Sequence, residues 1–152
     1  MPELRTMTYQ VSDLARHYRE VVDNAKHEDT LIRDKDGETL VMLSLDRAQR
    51  DRSIAGIASD FTRLLRAVAM SDEIGVVNSG RFSFASLLPA DMRSEMVDET
   101  YAALQVAQSG GSMVSLHDVI EDWIATAEVW ADTGLREEIF EDADNPPADV
   151  LI

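Results

Sequence analysis

The sequence predicts an α+β fold, in which a small N-terminal domain of strands and helices precedes an acidic, mainly helical C-terminal region. Three observations support this prediction. Apolar residues recur at helical spacing after Ser12, two β-branched apolar runs follow with a Gly-containing stretch between them, and the acidic residues concentrate in the second part of the chain. The 152 residues suit one ordinary domain, or a small domain with a long extension.

The first elements are a strand and a helix. The alternating, β-prone segment RTMTYQ predicts a strand at about residues 4–9. Ser12 is suited to cap a helix that we expect from about 12 to 27. The apolar positions of this helix repeat at three- and four-residue steps, at Leu14, Tyr18, Val21, Val22 and Ala25.

A hairpin and a longer helix follow. The runs TLIRD and TLVMLSL read as two strands, and Asp36-Gly37 between them tolerates the positive φ of a tight turn. A helical pattern then extends from about Leu45 to Met70, with an apolar stripe at Ile54, Ile57, Phe61, Leu64, Leu65 and Val68. Because three short strands and one helix bury little apolar surface, we expect a second copy of the chain to cover this stripe and one sheet or helix face.

The second part of the chain is predicted to be helical after a connector. Residues 71–90 mix Ser, Gly and Asn with isolated apolar residues, which is typical of a connector. Helical spacing resumes after Pro89 and again after a predicted N-cap at Ser115, whereas the last 19 residues combine dense acid with a Pro-Pro break and are expected to be disordered in isolation. The predicted domains are therefore 1–70, the connector 71–90, and a helical region 91–152.

The balance of basic and acidic residues differs strongly between the two parts of the chain. Residues 1–52 hold nine Lys or Arg against eleven Asp or Glu, and the remaining 100 residues hold five Arg and no Lys against 18 acids. Such asymmetry suggests that one end meets a polyanion and the other a basic partner. A solvated acidic surface that keeps the protein in solution is the alternative interpretation.

Several functional classes are disfavoured by what the sequence lacks. The chain has no cysteine, so thiolate chemistry and disulfides do not arise, and no apolar run suggests a signal peptide or a membrane span, which leads us to expect a cytoplasmic protein. The three histidines lack metal-ligand spacing, the DKDGE segment places its glycine wrongly for a calcium loop, and adjacent acid pairs point in different directions on a helix. We therefore expect no catalysis, no metal and no cofactor.

The N-terminal segments RTMTYQVSDLARHYREVVDNA and TLIRDKDGETLVMLSL resemble the Phd/YefM (prevent-host-death) antitoxins over about residues 4–52. That family opens with a strand, a helix start of the form Ser-Asp/Glu-x-x-Arg, an apolar helix and two strands. The matching positions are Thr8, Ser12, Asp13, Ala15, Arg16 and Tyr18, then Leu31, Ile32, Arg33, Gly37, Val41, Leu43, Ser44 and Leu45. The turn is one residue longer than the commonest family pattern, and Leu40 replaces a small residue.

The resemblance implies a βαββα dimerisation and DNA-binding domain and a C-terminal region that neutralises a toxin encoded by the adjacent gene. The implied partners are a second copy of the chain, operator DNA and the toxin, with a higher toxin–antitoxin assembly as a further expectation. RelE-type RNases, PIN-domain nucleases and Doc-like kinases all pair with this family, and the sequence does not choose among them.

Two sets of residues are candidates for these contacts. For DNA, we expect Arg16 to reach base edges and Arg33 to contact phosphate, because arginine serves both roles. The full DNA-binding set is Arg5, Arg16, Arg19, Arg33 and Lys35. For the toxin, large apolar anchors and complementary acids are expected to dominate, at Trp123, Ile124, Trp130, Leu135, Glu137, Glu138, Ile139, Phe140 and Glu141.

Alternatives exist for both sets and for the whole chain. The arginines could form surface ion pairs with nearby acids, and Trp123 and Trp130 could close an intramolecular helix pair with Met96, Tyr101 and Leu104. At the level of function, the chain could be an acidic interaction module that does not bind DNA. It could also be a transcription regulator without a toxin, in which case the C-terminal helices would form a fixed domain.

Overall fold

The structure, a computed structural model, describes residues 6–132 and residue 137 of an α+β protein with one small sheet and a majority of helix. The chain divides into an N-terminal unit, Met1–Ser53, and a helical unit, Ile54–Ile152. The boundary lies within a continuous helix and precedes the predicted one at residue 70.

The N-terminal unit contains a strand, two short helices, two further strands and the start of a long helix. Their bounds are β1 Thr8–Gln10, α1 Val11–Arg16, α2 Tyr18–His27, β2 Thr30–Arg33, β3 Thr39–Met42 and α3 Leu45–Ala69. The single helix expected from 12 to 27 is thus two helices. The backbone of His17 leaves the helical region, with φ −131° and ψ 35°, although no Pro or Gly marks the break in the sequence.

The sheet has the strand order β1-β2-β3. β1 runs parallel to β2 and α1 and α2 connect them, whereas β2 and β3 form an antiparallel hairpin. The hairpin turn confirms the role predicted for glycine, because Gly37 has a φ of +81°. The Glu38 carbonyl accepts the Asp34 N–H at 2.8 Å, and the Asp34 carbonyl accepts the Gly37 N–H at 3.0 Å, which closes the turn.

The core of the N-terminal unit is thin. Among residues 6–53, the buried side chains are Val21, Ala25, Thr30 and Ile32, contributed by α2 and one face of β2. Asn24 donates a hydrogen bond to the Thr30 hydroxyl at 2.9 Å and so satisfies this buried polar group. Large apolar side chains remain exposed in the same unit, at Met7, Tyr18, Val22, Leu40, Val41 and Leu45.

The helical unit has its own larger core. After α3 it contains α4 Glu73–Val77, a 3₁₀ helix Gly80–Leu87, α5 Ala90–Gln108 and α6 Met113–Ala131. One cluster of buried apolar residues joins all five helices. Its largest fully buried members are Phe82, Ile57, Leu64, Met96 and Leu116. Phe61 and Phe82 meet edge to face with 5.5 Å between ring centroids.

Three sequence-based expectations about this unit are corrected by its core. The α3 stripe is covered by the same chain and not by a second copy, because Ile57, Phe61 and Leu64 are buried in the shared cluster. Residues 71–90 are not a plain connector, because α4 and the 3₁₀ helix insert apolar side chains into this core. The helix predicted to begin after Ser115 begins after Ser112, whose hydroxyl accepts the Ser115 N–H at 3.2 Å.

Arg93 joins the 3₁₀ helix, α4 and α5. Its side chain is only 12% exposed, and its guanidinium donates to the Ala85 carbonyl at 2.9 Å and the Leu88 carbonyl at 3.4 Å. It also forms a bidentate ion pair with Glu73, at 2.9 and 3.3 Å. This arginine lowers the pKa of the Glu73 carboxyl through its hydrogen bonds and its charge. The segment expected to be a connector is therefore tied to the start of α5.

Candidate nucleic-acid and partner-binding surfaces

One face of the sheet in the N-terminal unit is left open. Paired residues of neighbouring strands point to the same side, and successive residues alternate. The register places the rows Thr8–Leu31–Val41 and Gln10–Arg33–Thr39 on one face, opposite the buried Thr30 and Ile32. This open sheet face consists of Thr8, Gln10, Leu31, Arg33, Thr39 and Val41, of which Leu31 is partly buried and the rest are exposed.

Arg33 and Arg16 lie at the ends of two neighbouring elements, β2 and α1 respectively. Arg33 ends β2 on the open sheet face, paired in register with Gln10, which caps α1. Arg16 is in the last turn of α1, six residues after Gln10, so that about 9 Å of helix separates Arg16 from Gln10. Both side chains are exposed, and neither forms an ion pair with a described residue. They are available to an external anion.

Arg19 and Lys35 are placed less favourably. Arg19 donates from Nε to the Tyr18 hydroxyl at 3.2 Å, and its guanidinium lies 5.8 Å from the centroid of that ring. Lys35 is exposed in the turn after β2, but Asp34, Asp36 and Glu38 surround it in sequence, so the turn as a whole is acidic. The fifth DNA-binding candidate, Arg5, lies outside the described residues.

Some side chains near these candidates are already engaged. The Arg47 guanidinium pairs with Asp29 at 2.8 Å and is not free to meet a ligand without breaking that contact. The Tyr9 hydroxyl donates to Glu20 at 3.3 Å. Burial and the Glu20 carboxylate raise the pKa of Tyr9, so the phenol stays protonated at neutral pH. Neither interaction has a sequence signature, since each partner is more than ten residues away.

The predicted toxin-binding set divides into core, edge and surface residues. Trp123 is only 7% exposed and shares the buried cluster with Met96 and Leu104, while its indole N–H donates to Glu99 at 2.8 Å. Trp123 therefore packs within the chain, as the alternative to a toxin contact proposed, and this side chain is not an exposed anchor. The alternative does not describe Tyr101, which is 52% exposed.

The other members of that set are at the edge of the core, at the surface or undescribed. Ile124 and Trp130 are partly buried and pack against the margin of the cluster. Glu137 is exposed and helical. The remaining candidates lie outside the described residues: Leu135, Glu138, Ile139, Phe140 and Glu141.

The surface of α5 and α6 is strongly acidic. Residues 89–132 contain one arginine against nine Asp or Glu. At the C-terminal end of α6, a cavity of about 460 Å³ is lined by two apolar residues, Leu87 and Ala131, and two acidic residues, Glu128 and Asp132. A Lys or Arg side chain suits such a site, because its stem can cover apolar surface while its charge meets carboxylate. Leu87 was not among the predicted site residues, because residues 71–90 were expected to form a connector.

The part of the chain that the structure describes contains neither a metal-binding cluster nor a membrane-spanning helix. Its acidic and histidine side chains form no cluster of three or more that could hold a metal ion. None of its helices is both long enough and apolar enough to cross a membrane. Comparison of the chain with family models, with curated proteins and with solved structures gives no match, so the resemblance to the Phd/YefM antitoxins stays a prediction.

Proposed function

We propose that this protein is the antitoxin of a type II toxin–antitoxin pair, which binds operator DNA through its N-terminal unit and a basic toxin through its acidic helical unit. The observation that carries the proposal is the division of the chain into two units of different character. One has a thin core, an open sheet face and nearly balanced charge, and the other has its own core and a strongly acidic surface.

The proposal includes a homodimer formed by the N-terminal unit. Its four buried side chains in residues 6–53 contribute little burial for a unit of this size. Leu40 and Val41 are 51% and 54% exposed on neighbouring positions of β3, so both faces of this terminal strand carry apolar surface. A second copy that covers Val41 and Leu31 would supply the burial that the single unit lacks.

Dimerisation would also double the number of arginine contacts that the protein can make with DNA. One N-terminal unit has no net positive charge, so binding must depend on local arginines. Arg16 and Arg33 are the exposed cations without an ion-pair partner among the described residues that best fit this role. A dimer would present each of them twice, once for each half-site, and their phosphate contacts would release counterions.

The acidic helical unit is suited to a basic protein partner. Carboxylates on α5 and α6 favour fast association with such a surface. Exposed apolar groups lie near these carboxylates, including Leu87 in the cavity that Glu128 and Asp132 also line. Trp130 and Ile124, at the edge of the core, are the members of the predicted set that remain best placed for contact among residues 6–132.

A second candidate function is a transcription regulator without a toxin. The observation that favours it is the core of the helical unit, which joins α3 to α6 without any partner. Such a unit is expected to resist proteases by itself, whereas a segment that folds only on a toxin is not. An antitoxin with this architecture would use the surface of a folded unit, together with the segment after Ala131.

The test is expression of the open reading frame beside this gene, with and without the protein. The proposal expects growth arrest by the neighbour alone, rescue by this protein and co-purification of a stable complex. A harmless neighbour with no complex would contradict the toxin step and favour the second candidate.

A mobility-shift assay tests the DNA step separately. The upstream DNA should be bound with an affinity that falls steeply as salt rises, and Arg16→Ala with Arg33→Ala should weaken binding at every salt concentration. Lys26→Ala is the matched control, because Lys26 is exposed, carries the same charge and is paired with Asp23 at 3.3 Å. Equal losses for the control and the double variant would contradict the assignment of the arginines.

A further inference from the structure

One cleft of the helical unit is lined by two arginine side chains that have no role in the proposed function. It has a volume of about 350 Å³ and lies between the C-terminal end of α3 and α4. This volume is within the range of ligand-binding clefts. The α3 side contributes Arg63, Arg66, Ala67 and Met70, and the α4 side contributes Asp72, Gly75 and Asn78.

The two guanidinium groups of the cleft are weakly engaged. Arg63 is 64% exposed and reaches Asp60 only at 3.8 Å. Asp60 is held more closely by Arg81, whose Nε donates to it at 2.9 Å and lowers the pKa of its carboxyl. Arg66 is exposed and has no ion-pair partner in residues 6–132. Both guanidinium groups can therefore donate hydrogen bonds to an external carboxylate.

The single carboxylate of the cleft already has a structural role. Asp72 caps α4, and its Oδ1 accepts the Gly75 N–H at 3.0 Å. The electrostatic balance of the cleft thus favours an anion. The surrounding sequence is also the least acidic part of the helical unit, because residues 54–88 contain three Arg and three acids, whereas residues 89–132 contain one Arg and nine acids.

The cleft also has apolar surface, which indicates what kind of anion it takes. Ala67 and Met70 line it, and Met70 is 67% exposed. Ile74 and Val77, on the adjoining helix α4, are 76% and 55% exposed. A nucleic-acid backbone would leave these groups in contact with water. A peptide that alternates carboxylates with large apolar side chains would cover them and meet both arginines.

The chain itself contains such a peptide. Residues 138–152, EIFEDADNPPADVLI, hold five Asp or Glu, no Lys or Arg, and the apolar side chains Ile139, Phe140, Val150, Leu151 and Ile152. Eight residue steps separate Asp132 from Phe140 and span up to roughly 26 Å when extended, whereas a folded unit of this size has a radius of gyration of about 12 Å. The start of the C-terminal segment can therefore reach surfaces of the helical unit beyond the end of α6.

We infer that the α3–α4 cleft binds the acidic C-terminal segment 138–152 of the same chain, with Arg63 and Arg66 as its cationic contacts. Because the segment is tethered, its effective concentration at the cleft is on the order of millimolar, so even a weak contact is populated. This contact stands independently of the proposed function. A basic partner that takes the segment would have to displace it from the cleft, and that further step rests on the proposed function.

Disulfide trapping in the full-length protein tests the contact. The natural chain has no cysteine, so a variant with Met70→Cys and Phe140→Cys contains one reactive pair. The matched control combines Val114→Cys with Phe140→Cys, since Val114 is also 67% exposed and lies at the start of α6. The measurement is the fraction of monomer with an internal disulfide under mild oxidation at low protein concentration.

The expected result is at least about a tenfold higher yield for the Met70 pair than for the control pair, because docking raises the local concentration. Adding Arg63→Glu and Arg66→Glu should lower the yield to the control level, whereas Arg52→Glu, on the same helix but outside the cleft, should leave it unchanged. Circular dichroism checks that each variant is folded. Equal yields for both cysteine pairs would overturn the inference.

A disulfide that forms only between two chains would also overturn it, in favour of a second copy as the occupant. The assay contains neither toxin nor DNA. Its failure would therefore leave the proposed function intact, and failure of the growth-rescue test would leave this inference intact.

Discussion

Replacing Trp123 separates a core role from a toxin-binding role more directly than any other single change. The side chain is 7% exposed, and an aromatic residue of this size removes roughly 150–250 Å² from water when buried. At about 25 cal/mol per Å² this area corresponds to about 4–6 kcal/mol, and measured losses for such truncations are about 3–5 kcal/mol. We therefore expect Trp123→Ala to cost about 3–5 kcal/mol in the free energy of unfolding of the helical unit.

Trp123→Phe provides an intermediate step. The phenyl ring keeps most of the apolar contact but removes the indole N–H that donates to Glu99 at 2.8 Å. Glu99 is exposed and can turn to water, so the expected cost is about 1–2 kcal/mol. Trp130→Phe, at the edge of the core, should cost less than Trp123→Ala because its side chain is only partly buried.

The assay is thermal unfolding followed by far-ultraviolet circular dichroism. For a unit of about 100 residues, each 1 kcal/mol shifts the Tm by about 4–8 °C, so Trp123→Ala should lower the Tm by at least about 12 °C. In the Trp130→Phe background all indole fluorescence comes from Trp123, and its emission should shift to longer wavelength on unfolding. A Trp123→Ala protein with unchanged Tm that no longer binds its partner would refute this reasoning.

Three further predictions concern the dimer, the packing of α5 and acid stability. Val41→Asp should convert a wild-type dimer into a monomer in analytical ultracentrifugation, and a wild-type monomer would contradict the dimer. Arg93→Ala should lower the free energy of unfolding by about 2–4 kcal/mol in urea titrations, because two carbonyls lose a charged donor, whereas Arg63→Ala should change it by less than about 0.5 kcal/mol. The Glu73 carboxyl has a lowered pKa in the fold, so the destabilisation by Glu73→Gln measured at pH 7 should decrease as the pH falls below the reference value of 4.5 and through the lowered folded pKa; a loss that does not decrease on acidification would contradict this linkage.

The direction in which the pKa of Glu73 shifts on folding decides how its contribution to stability changes with pH. A carboxyl with a lowered pKa in the folded state contributes stability above its unfolded pKa, and that contribution disappears as the pH falls through the folded value. Glu73 has a reference pKa of 4.5, and its pKa is lowered by Arg93. Comparison with the Gln variant isolates this group from the other carboxylates of a chain with a net charge of −15.

The sequence by itself determined the local elements of this protein. The β-branched apolar runs TLIRD and TLVMLSL, the Asp36-Gly37 pair and the spacing of Val21 and Ala25 predicted the hairpin and a helical segment before it, because each depends on residues that are close in the chain. The long helix from Leu45 was predicted to within one residue of its observed end. The contrast in charge between the two parts of the chain was also readable directly.

Only the tertiary structure decided which surfaces meet. A helical stripe such as Ile57, Phe61 and Leu64 must be covered, but periodicity does not say whether a second copy or a later helix covers it. The scattered apolar residues of 71–90 have no regular period, because α4 and the 3₁₀ helix are short and each contributes one or two side chains to the core. Trp123 looked like a binding anchor for the same reason: burial depends on contacts between residues far apart in the chain, which spacing alone cannot supply.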